Sequence, residues 1–307
     1  MKRRNFLKKT AAAGLAAGAA FSVGTHRLDI LAADGDDSPY DLVAVMGGSP
    51  EAMFDIGIQS IGGMGSFVSS GQKVVVKPNI GWDVIPERGA NTNPGLVARI
   101  IEHCFRAGAS EVSVFDNTCD EWTRCYRNSG IESAARGAGA RIVPANTESY
   151  YRDVSLPEAR SLKTTQIHNL MFEADVIINV PVLKHHSGTR MTAALKNMMG
   201  VVWDRRFWHR NNLNQCIADY TLWEKKPCLH VIDAYRVMLR NGPRGISVDD
   251  IVDMRAQIIS PDWVAADAAA ALMMDMNPMQ IGYIPLAHEL GAGNMQLEEL
   301  NINRIQM

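Results

Sequence analysis

One apolar run constrains the fold of this chain more than any other feature. The segment 175–180 reads Asp-Val-Ile-Ile-Asn-Val, a near-continuous apolar run. Such runs are typical of strands that are buried on both faces of a parallel sheet. Shorter apolar runs occur before and after it, and helical patterns separate most of them. This alternation predicts an α/β fold with an open, mostly parallel sheet flanked by helices.

The predicted elements cover the chain from residue 41 onward. Strands are predicted over 41–46, 73–77, 111–115, 141–143, 175–180, 228–233 and 252–259. Helices are predicted over 50–61, 94–107, 120–138, 190–201, 213–223, 262–276 and 278–290. Residues 145–170 are less regular and predict an antiparallel excursion. Because no Pro-, Ser- or charge-rich linker interrupts the chain, residues 34–307 are predicted to form a single α/β domain.

The N-terminal segment resembles an export signal. Arg3 and Arg4 precede Phe6 and Leu7, and a weakly apolar run rich in Ala and Gly follows. This pattern is similar to the signal of the twin-arginine route, and the run is too short for a permanent membrane anchor. Residues 1–33 are therefore predicted to be a twin-arginine signal peptide, with a cleavage site near residue 20 as the alternative. The expected partner is the twin-arginine export machinery, and the mature protein is expected to be periplasmic or otherwise exported.

Charge and cysteine content exclude some function classes. The net charge is −2, and the first 33 residues carry six basic residues against one acidic residue. The mature chain is thus more negative still, which argues against nucleic acid as a partner. The five cysteines form no C-x-x-C motif, so an iron–sulfur cluster in this chain is not expected, and the cofactor stays unknown. Cys119 and Cys125 are spaced for a small disulfide, with separate free thiols as the alternative.

Polar side chains follow several of the predicted strands. In an open α/β sheet, ligands bind beyond the carboxyl ends of the strands, so these residues are expected to surround one cleft. Candidates for acid–base catalysis are Lys184, His185, His186, Asp116 and Asp233: a histidine moves a proton and an aspartate orients it. Candidates for binding an anion are Lys77, Asn79, Thr189, Thr192, Lys196 and Asn197.

The stretch 184–200 is the densest in such residues. Ser187–Thr189 are predicted to form a loop that enters a helix, whose first N–H groups attract an anion. Thr189, Thr192 and Lys196 then share one helix face, beside Asn197. The prediction is a carboxylate or phosphate ligand at this helix start. A solvated helix face with a capping threonine is the alternative.

Metal binding and the remaining histidines are a separate question. Adjacent His185 and His186 point in different directions on any regular element, so only one could join Asp116, Asp233 or His168 around an ion. No recognised metal-binding spacing supports such a site, and the metal is left unknown. His209 and His230 are interpreted as structural. The cluster 203–210, rich in Trp and Arg, suits ligand stacking, a lid or a subunit contact.

Three ordered motifs carry a family resemblance. They are Val74–Asn79, Asn179–His186 and Ala194–Gly200, and a closing pattern at 267–268 and 291–294 accompanies them. Together they resemble the domain-of-unknown-function family 362 over about residues 40–300. Some members carry a ferredoxin-type cluster, whose cysteines this chain lacks. A fainter likeness to the nucleotide-pincer lactate racemases, which also place His and Lys on loops at helix starts, implies isomerase-type chemistry.

Two functional hypotheses follow from these observations. The first is a periplasmic enzyme that acts on a small anionic molecule with Lys/His acid–base chemistry, of an isomerase, racemase-like or redox-associated class. The second is a non-catalytic binding or accessory protein that is exported with a redox partner. Converging, buried lysines in a pocket favour the enzyme, whereas dispersed, solvent-facing lysines favour the accessory protein.

Overall fold

The computed structural model describes residues 40–307, so the predicted signal peptide of residues 1–33 lies outside the described residues. The strands are β1 (Leu42–Met46), β2 (Lys73–Pro78), β3 (Glu111–Val114), β4 (Arg141–Ile142), β5 (Tyr151–Ser155), β6 (Thr164–His168), β7 (Val176–Val180), β8 (Val182–His186), β9 (Arg190–Thr192), β10 (Leu229–Met238), β11 (Ile251–Ser260) and β12 (Ile302–Gln306). The α-helices are α1 (Pro50–Ser60), α2 (Pro94–Arg106), α3 (Trp122–Asn128), α4 (Ile131–Gly137), α5 (Leu170–Glu173), α6 (Ala194–Asn197), α7 (Arg205–Arg210), α8 (Leu213–Asp219), α9 (Trp263–Met273) and α10 (Tyr283–Glu289).

The main sheet runs in the order β12-β1-β11-β10-β7-β2-β3-β4, and β8 leaves it to pair with both β10 and β9. Strand β11 is antiparallel to its neighbours β1 and β10, whereas the other pairs along this path are parallel. The mostly parallel α/β sheet is thereby confirmed. The carboxyl ends of β1, β2, β3, β7 and β10 consequently lie at one edge. The predicted antiparallel excursion is the two-stranded β5–β6 sheet.

Helix starts follow from local sequence. Ser49 caps α1 by accepting a hydrogen bond from the Ala52 amide at 3.2 Å, and Pro50 occupies the first helical position. Asn93 caps α2 in the same way, again with a proline next. A capping side chain satisfies an amide that lacks an intrahelical acceptor, and proline has no amide to satisfy. These two helices begin where the sequence predicted them.

The sheet separates two apolar layers. Val74 and Val76 of β2 face one layer, with α1 and α2, whereas Val75 faces the other, with α6, α8 and α9. On β7, Ile178 and Ile177 divide between the two layers in the same way. Because successive side chains of a strand point to opposite faces, a strand covered on both sides must be apolar throughout. This is the physical basis of the run at 175–180.

The predicted helix over 190–201 is wrong in its first turn. Residues 190–192 form β9, which pairs with β8 in a hairpin that places Lys184 opposite Thr192. Helix α6 begins only at Ala194 and continues into a 3₁₀ segment, Met198–Val201. Pairing with β8 satisfies the backbone groups of β9, which a helix start would have left without partners.

Smaller differences concern element ends. The predicted helix over 120–138 is two helices, α3 and α4, separated at Gly130, whose φ of 73° ends the first one. The predicted helix over 278–290 is a 3₁₀ turn, Pro278–Gln280, followed by α10. Strand β10 runs five residues beyond its predicted end, to Met238, because it pairs along its whole length with β11. Strand β12 is an element that the sequence analysis did not predict.

Among residues 40–307, no helix is both long enough and apolar enough to cross a membrane.

Candidate functional site

A cavity of about 960 Å³ opens at the carboxyl edge of the sheet. Its walls come from the loops after β2 and β3, from the β8–β9 hairpin, and from α6 with the segment that follows it. We call this cavity the pocket. Eight of the predicted site residues line it: Lys77, Asn79, Asp116, Lys184, His186, Thr192, Lys196 and Asn197. Elements that are far apart in sequence therefore converge as expected.

Lys77 anchors the floor of the pocket. Its ammonium is fully buried, forms an ion pair with Asp116 at 2.9 Å, and donates to Oδ1 and the carbonyl oxygen of Asn197 at 3.0 and 2.8 Å. Burial lowers the pKa of Lys77, and the Asp116 carboxylate opposes that effect. The other Asp116 oxygen accepts from the Ile80 amide at 2.6 Å. The pair packs against Gly200, where any Cβ atom would overlap the carboxylate.

A chain of amides joins this floor to the hairpin. Asn79 donates through Nδ2 to Oδ1 of Asn197 at 3.0 Å, and Asn197 donates in turn to Oδ1 of Asn179 at 2.8 Å. The Oδ1 atom of Asn79 accepts from Nζ of Lys184 at 3.0 Å, and Lys184 also donates to the carbonyl oxygen of Ala90. Buried polar groups are thereby satisfied by one another, which fixes α6 against β2 and β8.

Lys184 and Lys196 lack the carboxylate that Lys77 has. Burial, with a contribution from the like charge of Lys196, lowers the pKa of Lys184 to about 7. Burial also lowers the pKa of Lys196 to about 7. The Lys196 ammonium contacts the thioether sulfur of Met199 at 3.2 Å. A thioether is a weak hydrogen-bond acceptor, and an ammonium has three hydrogens to donate. Within residues 40–307, neither lysine forms an ion pair.

His186 and Thr192 complete the hairpin wall. Burial and the nearby Lys196 charge lower the pKa of His186 to about 2, so its ring is neutral. Its Nδ1 atom accepts from the Gly188 amide at 3.0 Å, and the ring stacks near His209. The hydroxyl of Thr192 is buried and has no hydrogen-bond partner among the described residues. The wall thus presents one polar group that only a ligand or solvent can satisfy.

The mouth of the pocket contains residues that the sequence analysis did not assign to the site. Arg205 donates to the carbonyl oxygens of Asn117, at 2.7 Å, and Thr118, and its Nη1 lies 3.4 Å from Sγ of Cys119. Trp82 lies beside them. The available signals were the polar turn after β3 and the Arg-rich cluster 203–210. Neither shows by itself that the two segments meet.

Cys119 and Cys125 do not form a disulfide, and both thiols are free. Cys119 is exposed at the pocket mouth, whereas Cys125 is buried near the carbonyl oxygen of Gly81. The alternative of separate thiols is therefore the one that the structure has.

Asp233 does not line the pocket. Because β10 continues past it, the residue lies within the strand, and its buried carboxylate accepts from the amides of Asn93 and Tyr235 at 2.7 and 3.0 Å. Burial raises the pKa of this carboxyl to about 6. The prediction that it orients a catalytic histidine at the strand end is therefore wrong. The carboxylate caps backbone amides instead.

His185 and Thr189 also lie outside the pocket lining. On a strand, His185 points away from its neighbour His186, and its Nδ1 accepts from the Gly242 amide at 3.1 Å. Thr189 is buried in the hairpin, where its hydroxyl donates to the carbonyl oxygen of Met191 at 2.9 Å. The expected helix face of Thr189, Thr192 and Lys196 does not exist, because a hairpin occupies that segment.

The start of α6 is not an anion site. Its amides at Ala194 and Leu195 donate to the two carboxylate oxygens of the fully buried Asp267. A helix start attracts an anion because its first amides lack acceptors, and here the two Asp267 oxygens already fill that role. Burial raises the pKa of this carboxyl to about 8, and the two amide hydrogen bonds oppose that effect. The Ser187–Thr189 loop is the hairpin turn rather than the entry to this helix.

His168 and His230 each have a hydrogen-bond partner within the fold, and among the described residues His209 does not share this arrangement. His168 accepts from the Leu170 amide at 3.1 Å through Nδ1 and donates through Nε2 to the carbonyl oxygen of Pro144 at 3.1 Å. His230 lies against Asn179 at 3.1 Å, whereas His209, interpreted as structural, lies in the pocket lining. Across residues 40–307, no group of three or more His, Cys, Asp or Glu side chains is arranged to hold a metal ion.

Comparisons with known proteins give one family model and one related sequence. The family model described as "Domain of unknown function (DUF362)" matches residues 74–272. A thylakoid-associated protein from Synechocystis sp. is 25% identical over 242 residues, which cover 76% of this chain and 73% of the relative.

Two solved structures are also similar to this chain. The lactate racemase apoprotein from Thermoanaerobacterium thermosaccharolyticum has a TM-score of 0.47 and 13% identity, with 78% of this chain and 58% of that chain covered. A protein from Thermotoga maritima has a TM-score of 0.49 and 13% identity, with 75% and 60% covered. The chain spans less than two thirds of the length of either structure.

Proposed function

The chain belongs to the family described as domain of unknown function 362, and we propose that its pocket is the active site of an enzyme that acts on a small anion. The ligand carries a carboxylate or phosphate group. Lys184 and Lys196 bind that group or move a proton on the molecule that carries it.

The observation that supports this proposal most directly is the state of Lys196. Its side chain is 7% exposed, and its ammonium contacts only a thioether sulfur among the described residues. Burial of a charged group without an opposite charge is unfavourable by several kcal/mol. An anionic ligand in the pocket would supply the missing partner. Lys184, with two neutral oxygen acceptors, has the same need.

The formal charges of the pocket lining point the same way. Asp116 is already paired with Lys77, and Asp233, outside the pocket, balances neither Lys184 nor Lys196. The lining contains five cationic side chains, Lys77, Lys184, Lys196, Arg205 and Arg206, and three carboxylates, Asp116, Glu148 and Asp204. The excess of positive charge favours a ligand that carries at least one negative charge.

The pKa values favour lysine over histidine as the proton carrier. A general base works best with a pKa near the working pH, and burial places Lys184 and Lys196 at about 7. Burial lowers the pKa of His186 to about 2, so near neutral pH this ring has no imidazolium proton to donate. In the proposed reaction His186 therefore contributes a hydrogen bond, and one of the two lysines transfers the proton.

Anion binding is tested by thermal unfolding with a panel of small carboxylates and phosphates. For a ligand that binds, stabilisation of the wild-type protein approaches about 2.7 kcal/mol at a concentration a hundredfold above its dissociation constant. Lys196→Met removes this gain, whereas Lys226→Met, at an exposed lysine outside the pocket, retains it. If no anion stabilises the wild type more than Lys196→Met, the proposal fails.

Proton transfer is tested separately by NMR in deuterated buffer. A bound anion whose carbon-bound hydrogen is removed by a lysine exchanges that hydrogen for deuterium, and Lys196→Met or Lys184→Met slows the exchange. Anions that bind without any exchange or conversion would support the non-catalytic accessory protein instead. Binding itself weakens above pH 7, because both lysines then lose the charge that attracts the anion.

We further propose that the protein is exported by the twin-arginine route, on the strength of Arg3 and Arg4 and the Ala/Gly-rich run after them. Replacement of both arginines by lysine is expected to leave the precursor in the cytoplasm. Normal periplasmic accumulation of that variant, measured by cell fractionation, would contradict this assignment.

A further inference from the structure

Cys119 differs from the other cysteines of the chain in its surroundings. It is the exposed cysteine and it lines the pocket, at the end of the polar turn after β3. Its amide donates to the carbonyl oxygen of Gly81 at 2.8 Å, which fixes the backbone there. Burial raises the pKa of the other thiols, to about 12 for Cys104 and Cys125 and about 11 for Cys216 and Cys228.

One guanidinium contacts the Cys119 sulfur, and two lysines of the pocket feel its charge. Nη1 of Arg205 lies 3.4 Å from Sγ, and the two remaining Arg205 contacts hold the backbone just before the cysteine. A negative charge on Cys119 would raise the pKa values of Lys184 and Lys196, so the sulfur is within electrostatic range of both lysines. Reactive cysteines are typically at least partly exposed and lie in electropositive surroundings, as Cys119 does.

Two further groups that line the same pocket indicate a ligand within it. Thr192 is only 4% exposed, and its buried hydroxyl has no hydrogen-bond partner among residues 40–307. The Lys196 ammonium has only the Met199 sulfur. Buried polar groups normally have partners, so a molecule that occupies the pocket has one donor or acceptor and one cation available to it.

We infer that the Cys119 thiol is a nucleophile of this pocket. It is directed at an electrophilic carbon, bearing a leaving group, of a small molecule whose carboxylate Lys184 and Lys196 hold. This inference rests on the proposed anion site. In the reaction, the thiolate sulfur forms a bond to the carbon and the leaving group departs with its bonding electron pair. The thiol proton passes to solvent, and no oxidant or metal is required.

Two alkylating agents that differ in charge test the inference. Iodoacetate and iodoacetamide share a leaving group, iodide, and the same S–C bond forms with either, but only iodoacetate carries a carboxylate. For each reagent, the alkylation rate of Cys119 in the folded protein is measured by peptide mass mapping. Free cysteine in the same buffer gives the reference ratio of the two rates.

The expected rate ratio of iodoacetate to iodoacetamide at Cys119 is about tenfold above that of free cysteine, which corresponds to about 1.4 kcal/mol. Lys196→Met lowers the ratio toward the free-cysteine value, whereas Lys226→Met leaves it unchanged. Cys119→Ser removes the rapidly alkylated peptide. Thermal unfolding of each variant, with unchanged protection of Cys228, shows that the fold is retained.

A ratio equal to that of free cysteine, or one that Lys196→Met does not change, overturns the inference. The Cys119→Ser variant separates this result from the proposed function. If that variant is still stabilised by small carboxylates while the wild-type ratio equals that of free cysteine, the anion site stands and the nucleophile is rejected. If no anion stabilises either protein, both proposals are rejected.

Discussion

Buried ionisable groups have two different kinds of surroundings in this protein. Outside the pocket, three aspartates are nearly or fully buried, and each accepts hydrogen bonds from two backbone amides: Asp219, Asp233 and Asp267. We call these the capping carboxylates. In the pocket, Lys184 and Lys196 are buried to a similar degree, yet neither has a carboxylate partner within residues 40–307.

The difference shows which buried charges serve the fold. A carboxylate that accepts two backbone amides satisfies groups that would otherwise be buried without partners, so its removal is costly. A buried ammonium without an anion has the opposite effect, because its desolvation is not offset. Unfavourable groups that a fold retains are expected at functional sites. The capping carboxylates therefore stabilise the fold, whereas the unfavourable burial of the pocket lysines supports the proposed anion site.

The largest expected effect is at Asp267. Asp267→Ala leaves the amides of Ala194 and Leu195 buried without an acceptor. Since each buried, unsatisfied donor costs about 1–3 kcal/mol, we expect the free energy of unfolding to fall by about 4 kcal/mol. Urea unfolding followed by circular dichroism measures the change. The exposed Asp153 provides the control, and Asp153→Ala is expected to change the free energy by less than about 0.5 kcal/mol.

Asp267→Asn keeps one acceptor oxygen and is expected to fall between the wild type and Asp267→Ala. An Asp267→Ala protein as stable as the wild type would remove the distinction between the two kinds of buried charge. It would also mean that the α6 amides find acceptors elsewhere.

An intermediate effect of opposite sign is expected at Lys196. The pKa of Lys196 in the folded protein, about 7, lies below its ordinary value of 10.5. Between these values the unfolded chain binds more protons than the folded one, so the wild-type free energy of unfolding rises with pH. Below pH 7 the full penalty of the buried ammonium is present. Lys196→Met removes that penalty and is expected to be more stable than the wild type there.

The measurement is the difference between wild type and Lys196→Met in urea unfolding at several pH values. From pH 7.5 to 9.5 the free energy of unfolding of the wild type is expected to rise, relative to that of Lys196→Met, by about 1 kcal/mol per pH unit. The difference cancels the contributions of thiols and carboxyls that both proteins share. For Lys226→Met, at an exposed lysine, the free energy of unfolding should change with pH in parallel with that of the wild type. Parallel curves for Lys196→Met would instead show that Lys196 is not perturbed.

The sheet was predictable because its signal is local. Residues 73–77 and 175–180 are apolar runs bounded by polar or turn-forming residues, and a strand covered on both faces requires that pattern. The position of Lys77 at the end of β2 followed directly. The particular partner of this lysine did not follow: Asp116 and Asp233 are both candidates to balance a lysine or to orient a histidine, because sequence spacing does not show which of several polar groups meet across an edge.

The errors share one physical cause, the dependence of an element on distant segments. Residues 190–192 were assigned to a helix, but β8 supplies hydrogen-bond partners and draws them into a hairpin. The Ser187-Gly188 dipeptide, which is typical of turns, was the available signal. Asp267, 73 residues from the amides it caps, gives no local sign of its role. Asp233 was placed at a strand end because the extension of β10 depends on pairing with β11.

The smallest expected effect separates two threonines that the sequence analysis treated alike. The Thr189 hydroxyl donates to the carbonyl oxygen of Met191, whereas the Thr192 hydroxyl lines the pocket without a partner. Thr189→Val should therefore lower the free energy of unfolding by about 1 kcal/mol and leave anion affinity unchanged. Thr192→Val should leave the ligand-free protein within about 0.5 kcal/mol of the wild type. If the bound anion accepts a hydrogen bond from this hydroxyl, Thr192→Val weakens anion binding about fivefold, the equivalent of about 1 kcal/mol.

Urea unfolding and calorimetric titration with the most stabilising anion of the panel measure the two effects. Equal affinity losses in both variants would indicate a general distortion of the hairpin. A loss confined to Thr192→Val would place the ligand against β9, on the side of the pocket where Lys196 lacks an anion.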